Sequence, residues 1–380
     1  MSYIPDVFDK AYGRGLDDRN DSKWAHPELK DYWIAGNADF IETLLDEDVP
    51  LEKRLTRLEK VNSSTIKYYE KLGFKPFEGL HFSEEGNEYG VLKKFQCKGC
   101  PDDPEVTTEV YAVIPNEKKD TPRPVIFYIM GGGYFQNLPG IYPELLGLAK
   151  RYDAVVVTCT YSNLLQGKYP TMINEHHAAY LWMLENAEML NIDPDNVVIV
   201  GESGGAHFGL NMAFRLKRYG IIPKGIVAVD PICDDRNQYE SNKLIKLPAS
   251  SIRTHALHCV YYGANNVGSP YVGPEAFANR ATVEECKGLP PIFLFIGETD
   301  MDRDSTMAFA SKLYAARVPC SLHVYYGSAH GTLWFARNSE MADRFWKELY
   351  GTINDCIKYD LRRPWAWDVP EDAAKDEVSK

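Results

Sequence analysis

Four short stretches hold the residues that could carry out acyl chemistry. Residues 201–205 read Gly-Glu-Ser-Gly-Gly, a G-x-S-x-G arrangement around Ser203. A serine hydroxyl is a weak nucleophile until a base takes its proton, and the base needs a carboxylate to orient it. The developing oxyanion also needs backbone donors, and Gly131, Gly132 and Gly133 form a run whose N–H groups no side chain obstructs. Taken alone, the serine could also cap a helix and the glycines could be a flexible turn. Among the nine histidines, His330 fits the base, because it stands in a small-residue loop after the run SLHVYYG. His323 lies inside that run, His207 is four residues past Ser203 with its ring directed away from the hydroxyl, and His176 and His177 belong to packing or surface positions. The carboxylate should come between serine and histidine, just after a strand. Asp300 is nearest the end of PPIFLFIG, Asp302 competes with it, and Asp304 reads as the N-cap of the following helix.

These residues need a scaffold that brings strand ends together. From residue 105 onward, short apolar runs alternate with amphipathic segments. The expected strands are TTEVYAVIP, RPVIFYIM, AVVVTCTY, NVVIVG, GIVAVDPI, PPIFLFIG and SLHVYYG, with helices over 174–190, 204–220 and 304–318. Continuous rather than alternating apolar strands predict an α/β fold, a mostly parallel sheet covered on both faces. The elbow serine follows a strand and opens a helix, which is the context a nucleophile turn requires. Residues 27–75 read as amphipathic helices forming a lid or packing layer, and the Asn-, Ser-, Pro-, Tyr- and Gly-rich residues 234–290 read as an excursion over the sheet.

The net charge of -12 over 380 residues argues against a nucleic-acid partner, since phosphate neutralisation needs clustered Lys and Arg. No run is long and apolar enough for a signal peptide or a membrane span, so the expectation is a cytoplasmic protein without membrane insertion. The eight cysteines are read as free thiols, and Cys97 and Cys100 of CKGC as structural rather than metal-binding or redox-active. A homo-oligomer is compatible with the sequence.

Together the motifs make the chain similar to the hormone-sensitive-lipase-like branch of the α/β-hydrolase carboxylesterases over about residues 107–350. The segments that carry the resemblance are YSNLLQGKYPTMINEHHAAYLWM, DPDNVVIVGESGG, GLPPIFLFIGETDMDRD and ARVPCSLHVYYGSAHG. The resemblance implies an α/β-hydrolase fold with a mostly parallel central sheet and a helical cap. It implies Ser203 as nucleophile, Asp300 as acid, His330 as base, and the N–H groups of Gly132, Gly133 and Gly204 as oxyanion hole. Tyr134 and Phe135 stand beside the glycines as pocket walls or as ordinary core aromatics. Three departures mark this chain: Met130 replaces the histidine of the family's H-G-G-G, Asp300-Met301-Asp302-Arg303-Asp304 replaces D-P-L-x-D, and Ser203-Gly204-Gly205-Ala206-His207 replaces S-A-G-G-N.

The expected organisation is an N-terminal helical region contributing to the cap (1–90), a hydrolase core (91–233 and 291–358), a cap or pocket insertion (234–290) and a C-terminal tail (359–380). The expected activity is hydrolysis of small, short-acyl esters through an acyl-enzyme, with a small-molecule ester as partner and no metal or organic cofactor. Amide or lactone hydrolysis by the same triad, and ligand binding without catalysis on the same fold, are the alternatives.

Overall fold

Strands that lack polar alternation must be covered on both faces, and here they are. The structure, a computed structural model, describes residues 27–32, 49–56, 90–134, 144–236, 238–244, 272–335 and 339–362. A hairpin of β1 (Gly90–Cys100) and β2 (Asp103–Pro115) is followed by β3 (Arg123–Ile129), α1 (Glu144–Tyr152) and β4 (Val155–Cys159). The chain continues through α2 (Thr171–Glu185), β5 (Ile192–Glu202), α3 (Gly204–Arg218) and β6 (Gly225–Val229). After the excursion come β7 (Ile292–Gly297), α4 (Arg303–Ala315), β8 (Cys320–Tyr325) and α5 (Glu340–Lys358). No helix among the described residues is long and apolar enough to cross a membrane.

Successive residues of a strand point to opposite faces, so each central strand feeds two cores. In β3, Val125, Phe127 and Ile129 join Met172 of α2, Phe208 of α3 and Phe309 of α4 on one side. Ile126 and Tyr128 join Leu145 of α1 and Phe345 and Trp346 of α5 on the other. A fully buried side chain of this kind contributes about 1.5–3 kcal/mol relative to exposure, so packing rather than strand propensity dominates the sheet's stability.

The eight strands lie in the order β1-β2-β4-β3-β5-β6-β7-β8. β1 and β2 are antiparallel to their neighbours, and every pairing from β4 through β8 is parallel. After β3 the chain goes outward to β4, then returns across to β5 on the far side of β3. That reversal opens a crevice beyond the strands' carboxyl ends, where ligands bind in open α/β sheets. Ile129 of β3 is in register with Gly201 of β5, Glu202 with Val229 of β6, and Val229 with Phe295 of β7. The glycine run, Ser203 and the acid loop therefore leave the sheet at one edge.

Two details differ from the sequence reading. The sheet begins earlier than residue 105, with β1, whose exposed Lys93 and Lys94 hide its strand character; charge on an edge strand discourages pairing with another chain. Cys97 and Cys100 of that strand are buried, and burial pushes the Cys97 thiol up to about 11, which fits packing rather than reactivity. The second difference is that α4 starts at Arg303 with Asp302 at its N-cap position, so Asp304 is not the cap. Asp304 instead accepts the backbone N–H of Ser241 and pairs with Arg303, because α4 abuts the short helix Glu240–Leu244.

The expected N-terminal and C-terminal regions fall mostly outside the described residues, as do 245–271 of the excursion. Its described end is tied to α3: Arg215 pairs with Glu275 and, at 2.9 Å, with Asp102, while Arg218 binds both acids.

The approach of α3 to β3 leaves no room at Gly205, where an added Cβ would stand 2.0 Å from the Ile129 carbonyl oxygen. Gly205→Ala is therefore expected to lower the unfolding free energy by at least about 2 kcal/mol. At Gly147, exposed on α1 with nothing within 4 Å of its Cβ position, the same change should stabilise by up to about 1 kcal/mol. Urea denaturation of both variants checks the pair, and equal effects would contradict this reading of the packing.

Candidate active site

β5 ends at Glu202 and α3 begins at Gly204, so Ser203 alone makes the turn, at φ 54 and ψ -122. A non-glycine residue at positive φ is costly, on the order of 1–3 kcal/mol, and survives only where its surroundings hold it. They do: the Ser203 N–H donates to the Val229 carbonyl at 2.8 Å, and the His207 N–H donates to the Ser203 carbonyl at 3.0 Å. Gly201 and Gly205 allow the turn, since a Cβ on either would meet backbone at 2.5 Å or less.

At that turn Ser203 Oγ lies 2.8 Å from Nε2 of His330, and His330 Nδ1 lies 2.7 Å from Oδ2 of Asp300. Asp300 is fully buried and accepts the Asp302 backbone N–H on its other oxygen at 2.9 Å. These bonds assign the tautomer: Nδ1 carries the proton and donates to Asp300, leaving Nε2 to accept from the serine hydroxyl. Burial pushes the His330 imidazole down, but the charge and hydrogen bond of Asp300, aided by Asp230 and Asp302, raise it above the ordinary imidazole range. Asp302 makes no hydrogen bond to His330; among the described residues its buried Oδ2 has no hydrogen-bond partner, and burial with the nearby Asp300 charge pushes its carboxyl well up.

The acid and histidine loops are laced to each other. Thr299 donates its N–H and its hydroxyl to the Ser328 carbonyl at 2.9 and 2.8 Å, and the Gly327 N–H donates to the Glu298 carboxylate at 2.8 Å. The other histidines lie elsewhere. His207 donates from Nδ1 to the Ile232 carbonyl at 3.0 Å and accepts from Asn211, which is what replaces the family's polar residue after the elbow. His176 and His177 are buried in packing, and His323 sits on β8 beside Glu348 with its ring stacked on Phe295.

Gly132 and Gly133 have φ 124 and 60, conformations that favour glycine. The nitrogens of Gly133 and Tyr134 lie 3.7 and 3.6 Å from where a Cβ on Gly204 would stand, so backbone N–H groups gather beside the elbow. The ring of Tyr134 is fully buried against His207 and Phe208, which places it among the core aromatics. Phe135 lies outside the described residues.

Two residues missed in the sequence hold the glycine loop. Glu202 accepts the Gly131 N–H at 2.7 Å, and the Tyr161 hydroxyl donates to the Gly131 carbonyl at 3.3 Å. They brace the loop that lacks the family's histidine, Met130 being buried instead in the opposite core. The signal was available, since Glu202 is the variable residue of G-x-S-x-G itself. A third, Asp230, ends β6 and accepts the N–H groups of Gly331 at 2.8 Å and Gly297 at 3.3 Å. Oxygens of Asp230 and Asp300 and a ring nitrogen of His330 lie within 4.8 Å of one another, the one cluster among the described residues with spacing suited to a metal. The N–H donors of Asp302, Gly331, Gly297 and His330 already occupy those oxygens, so hydrogen bonding accounts for the cluster.

The sequence pattern of an alpha/beta hydrolase fold family matches residues 126–334, more than half of the chain. An esterase of Acinetobacter venetianus is 24% identical over 241 residues, 62% of this chain and 74% of its own. An α/β hydrolase of Acanthamoeba polyphaga mimivirus is 23% identical over 215 residues, 54% of this chain, and the match spans only 60% of that relative. The structure of a bacterial heroin esterase superposes with a TM-score of 0.72 at 23% identity, over 89% of this chain and 99% of its own, a likeness of fold. The chain belongs to the α/β-hydrolase family, on its hormone-sensitive-lipase-like carboxylesterase branch. The family resemblance drawn from the motifs is borne out.

Removing the brace should loosen the glycine loop without touching Ser203. Glu202→Ala is expected to lower kcat for a short ester by about 10- to 100-fold, with little change in KM, while Glu202→Gln keeps an oxygen acceptor and recovers most of the loss. Steady-state kinetics of the two variants decide it, and wild-type kcat in Glu202→Ala would remove Glu202 from the account.

Proposed function

We propose that the protein hydrolyses small, short-acyl carboxylic esters through an acyl-enzyme, with Ser203 as nucleophile, His330 as base and Asp300 as its orienting acid. The observation that carries the reading is the unbroken hydrogen-bonded series from Ser203 Oγ through the His330 ring to buried Asp300. The preference for small substrates rests on resemblance to the esterases of this family.

The serine proton passes to His330 Nε2 as Oγ attacks the ester carbon. The N–H groups of Gly132, Gly133 and Gly204 meet the oxyanion, with the Tyr134 N–H beside them. His330 then returns the proton to the departing alkoxide, and the alcohol leaves. Water repeats the sequence: His330 takes its proton, hydroxide adds to the acyl carbon, and the acid is released as Oγ regains a proton. Asp300 holds the ring through its bond to Nδ1 and stabilises the imidazolium.

Hydrolysis of p-nitrophenyl acetate, butyrate and decanoate tests the reading. The wild type should turn over the two short esters faster than the decanoate, and Ser203→Ala should lose roughly 10^5-fold or more in kcat. A faster rate on the matched p-nitroanilide would instead favour amide hydrolysis, and full activity in Ser203→Ala would overturn the proposal.

The pH dependence follows from the histidine. Only the neutral ring accepts the serine proton, so an imidazole pushed above its ordinary value of about 6.5 leaves less active enzyme on the acid side. The acid limb of the kcat/KM profile should lie above about pH 6.5; a limb below pH 6 would contradict the influence assigned to the surrounding carboxylates.

A further inference from the structure

A histidine base needs one carboxylate, yet three aspartates converge on His330. Asp300 makes the hydrogen bond to the ring, Asp302 stands at the N-cap position of α4 with no side-chain cap bond, and Asp230 has no role in the chemistry described above. Its position is costly in three ways. It is buried, its backbone is left-handed at φ 47, and its carboxylate stands close to that of Asp300. Such costs persist where the surrounding structure holds them and a function uses them.

Its bonds point to the histidine. The Asp230 N–H donates to the Phe295 carbonyl at 2.7 Å, which locks the residue to β7. From there Oδ2 accepts the N–H of Gly331, the residue after His330, and Oδ1 accepts the N–H of Gly297, where the acid loop leaves its strand. One side chain thus ties the end of β6 to both loops that carry the base and its partner. We propose that Asp230 is a second carboxylate for His330, a positioning residue that holds the histidine loop through the Gly331 amide and shares with Asp300 the stabilisation of the imidazolium.

The charged and titratable groups facing it fit this role. Asp300 and Asp302 approach from the loop after β7 and His330 from the loop after β8; on the α3 side His207 is bonded to the Ile232 carbonyl, two residues past Asp230. Burial and the Asp300 charge push the Asp230 carboxyl up to about 7, while His330 and the two N–H donors pull it down. A protonated His330 therefore favours the ionised form of Asp230 at the step when positive charge must be held. No proton is transferred to Asp230; the serine proton moves only to Nε2 and on to the leaving group.

The inference deepens the esterase reading, and its test has one readout independent of it. Histidine-labelled wild type, Asp230→Asn, Asp300→Asn and the double variant are titrated by NMR to give the His330 pKa, and short-ester kcat/KM is measured against pH. Asp230→Asn tolerates the left-handed backbone; if it does not fold, Asp230→Ser retains an acceptor for Gly331 without the negative charge. Loss of the Asp230 charge is expected to lower the His330 pKa by about one pH unit or more and to move the acid limb down equally. In the Asp300→Asn background it should also cost at least about tenfold more activity than in the wild type, because Asp230 is then the carboxylate that still holds the histidine loop. A folded variant with an unshifted His330 pKa, or equal costs in both backgrounds, overturns the proposal. A wild type that cleaves no ester overturns the activity, and the NMR titration still decides whether Asp230 acts on His330.

Discussion

The contact on which the rest depends is the close packing of α3 against β3 at Gly205. It forces a one-residue turn between β5 and α3, and that turn makes Ser203 adopt a left-handed backbone. The same contact sets Gly204 beside the nitrogens of Gly133 and Tyr134, so hydroxyl and backbone donors arrive together rather than by separate devices. The strain at Ser203 is held by the two cores, whose summed burial far exceeds a cost on the order of 1–3 kcal/mol. A site built this way comes largely preorganised, because its geometry is fixed by the sheet register and not by the ligand.

Electrostatics then sharpen what packing has placed. The proposed base is raised by Asp300, Asp230 and Asp302 against the effect of its own burial. Concentrating acids near one imidazole has a cost, seen in the upward shifts of Asp230 and Asp302. Backbone N–H groups from Gly297, Gly331 and Asp302 offset part of it, a division of labour in which strand ends supply both the charges and their donors. Glu202 does the corresponding work for the glycine loop, from the residue next to the serine it serves.

Much of this was legible in the residues because it depends on local rules. A G-x-S-x-G between an apolar run and an amphipathic helix announces the turn at Ser203, and strand-end positions single out Asp300 and His330. Asp300 was preferred to Asp302 for its nearness to the strand end, and in the fold it is Asp300 whose carboxylate meets the ring. β1 escaped notice because the consecutive exposed Lys93 and Lys94 break the alternation, and Asp304 looked like a cap because the helix start is set by packing against the short helix after β6. Tyr134 could be core or pocket on composition alone, and its full burial against His207 and Phe208 favours the core. Asp230 was hidden for another reason: it acts through a backbone amide 101 residues away in sequence, a relation no local pattern encodes.

The central claim is that Ser203 is activated by its place at the sheet edge. Intact-protein mass spectrometry after exposure to a fluorophosphonate, followed by peptide mapping, addresses it most directly, since the reagent bonds covalently only to an activated hydroxyl. The expected result is a single adduct per chain, located on Ser203 and missing in Asp300→Asn or formed there far more slowly. A folded protein that stays unmodified, or that carries its adduct on another residue, would contradict the claim.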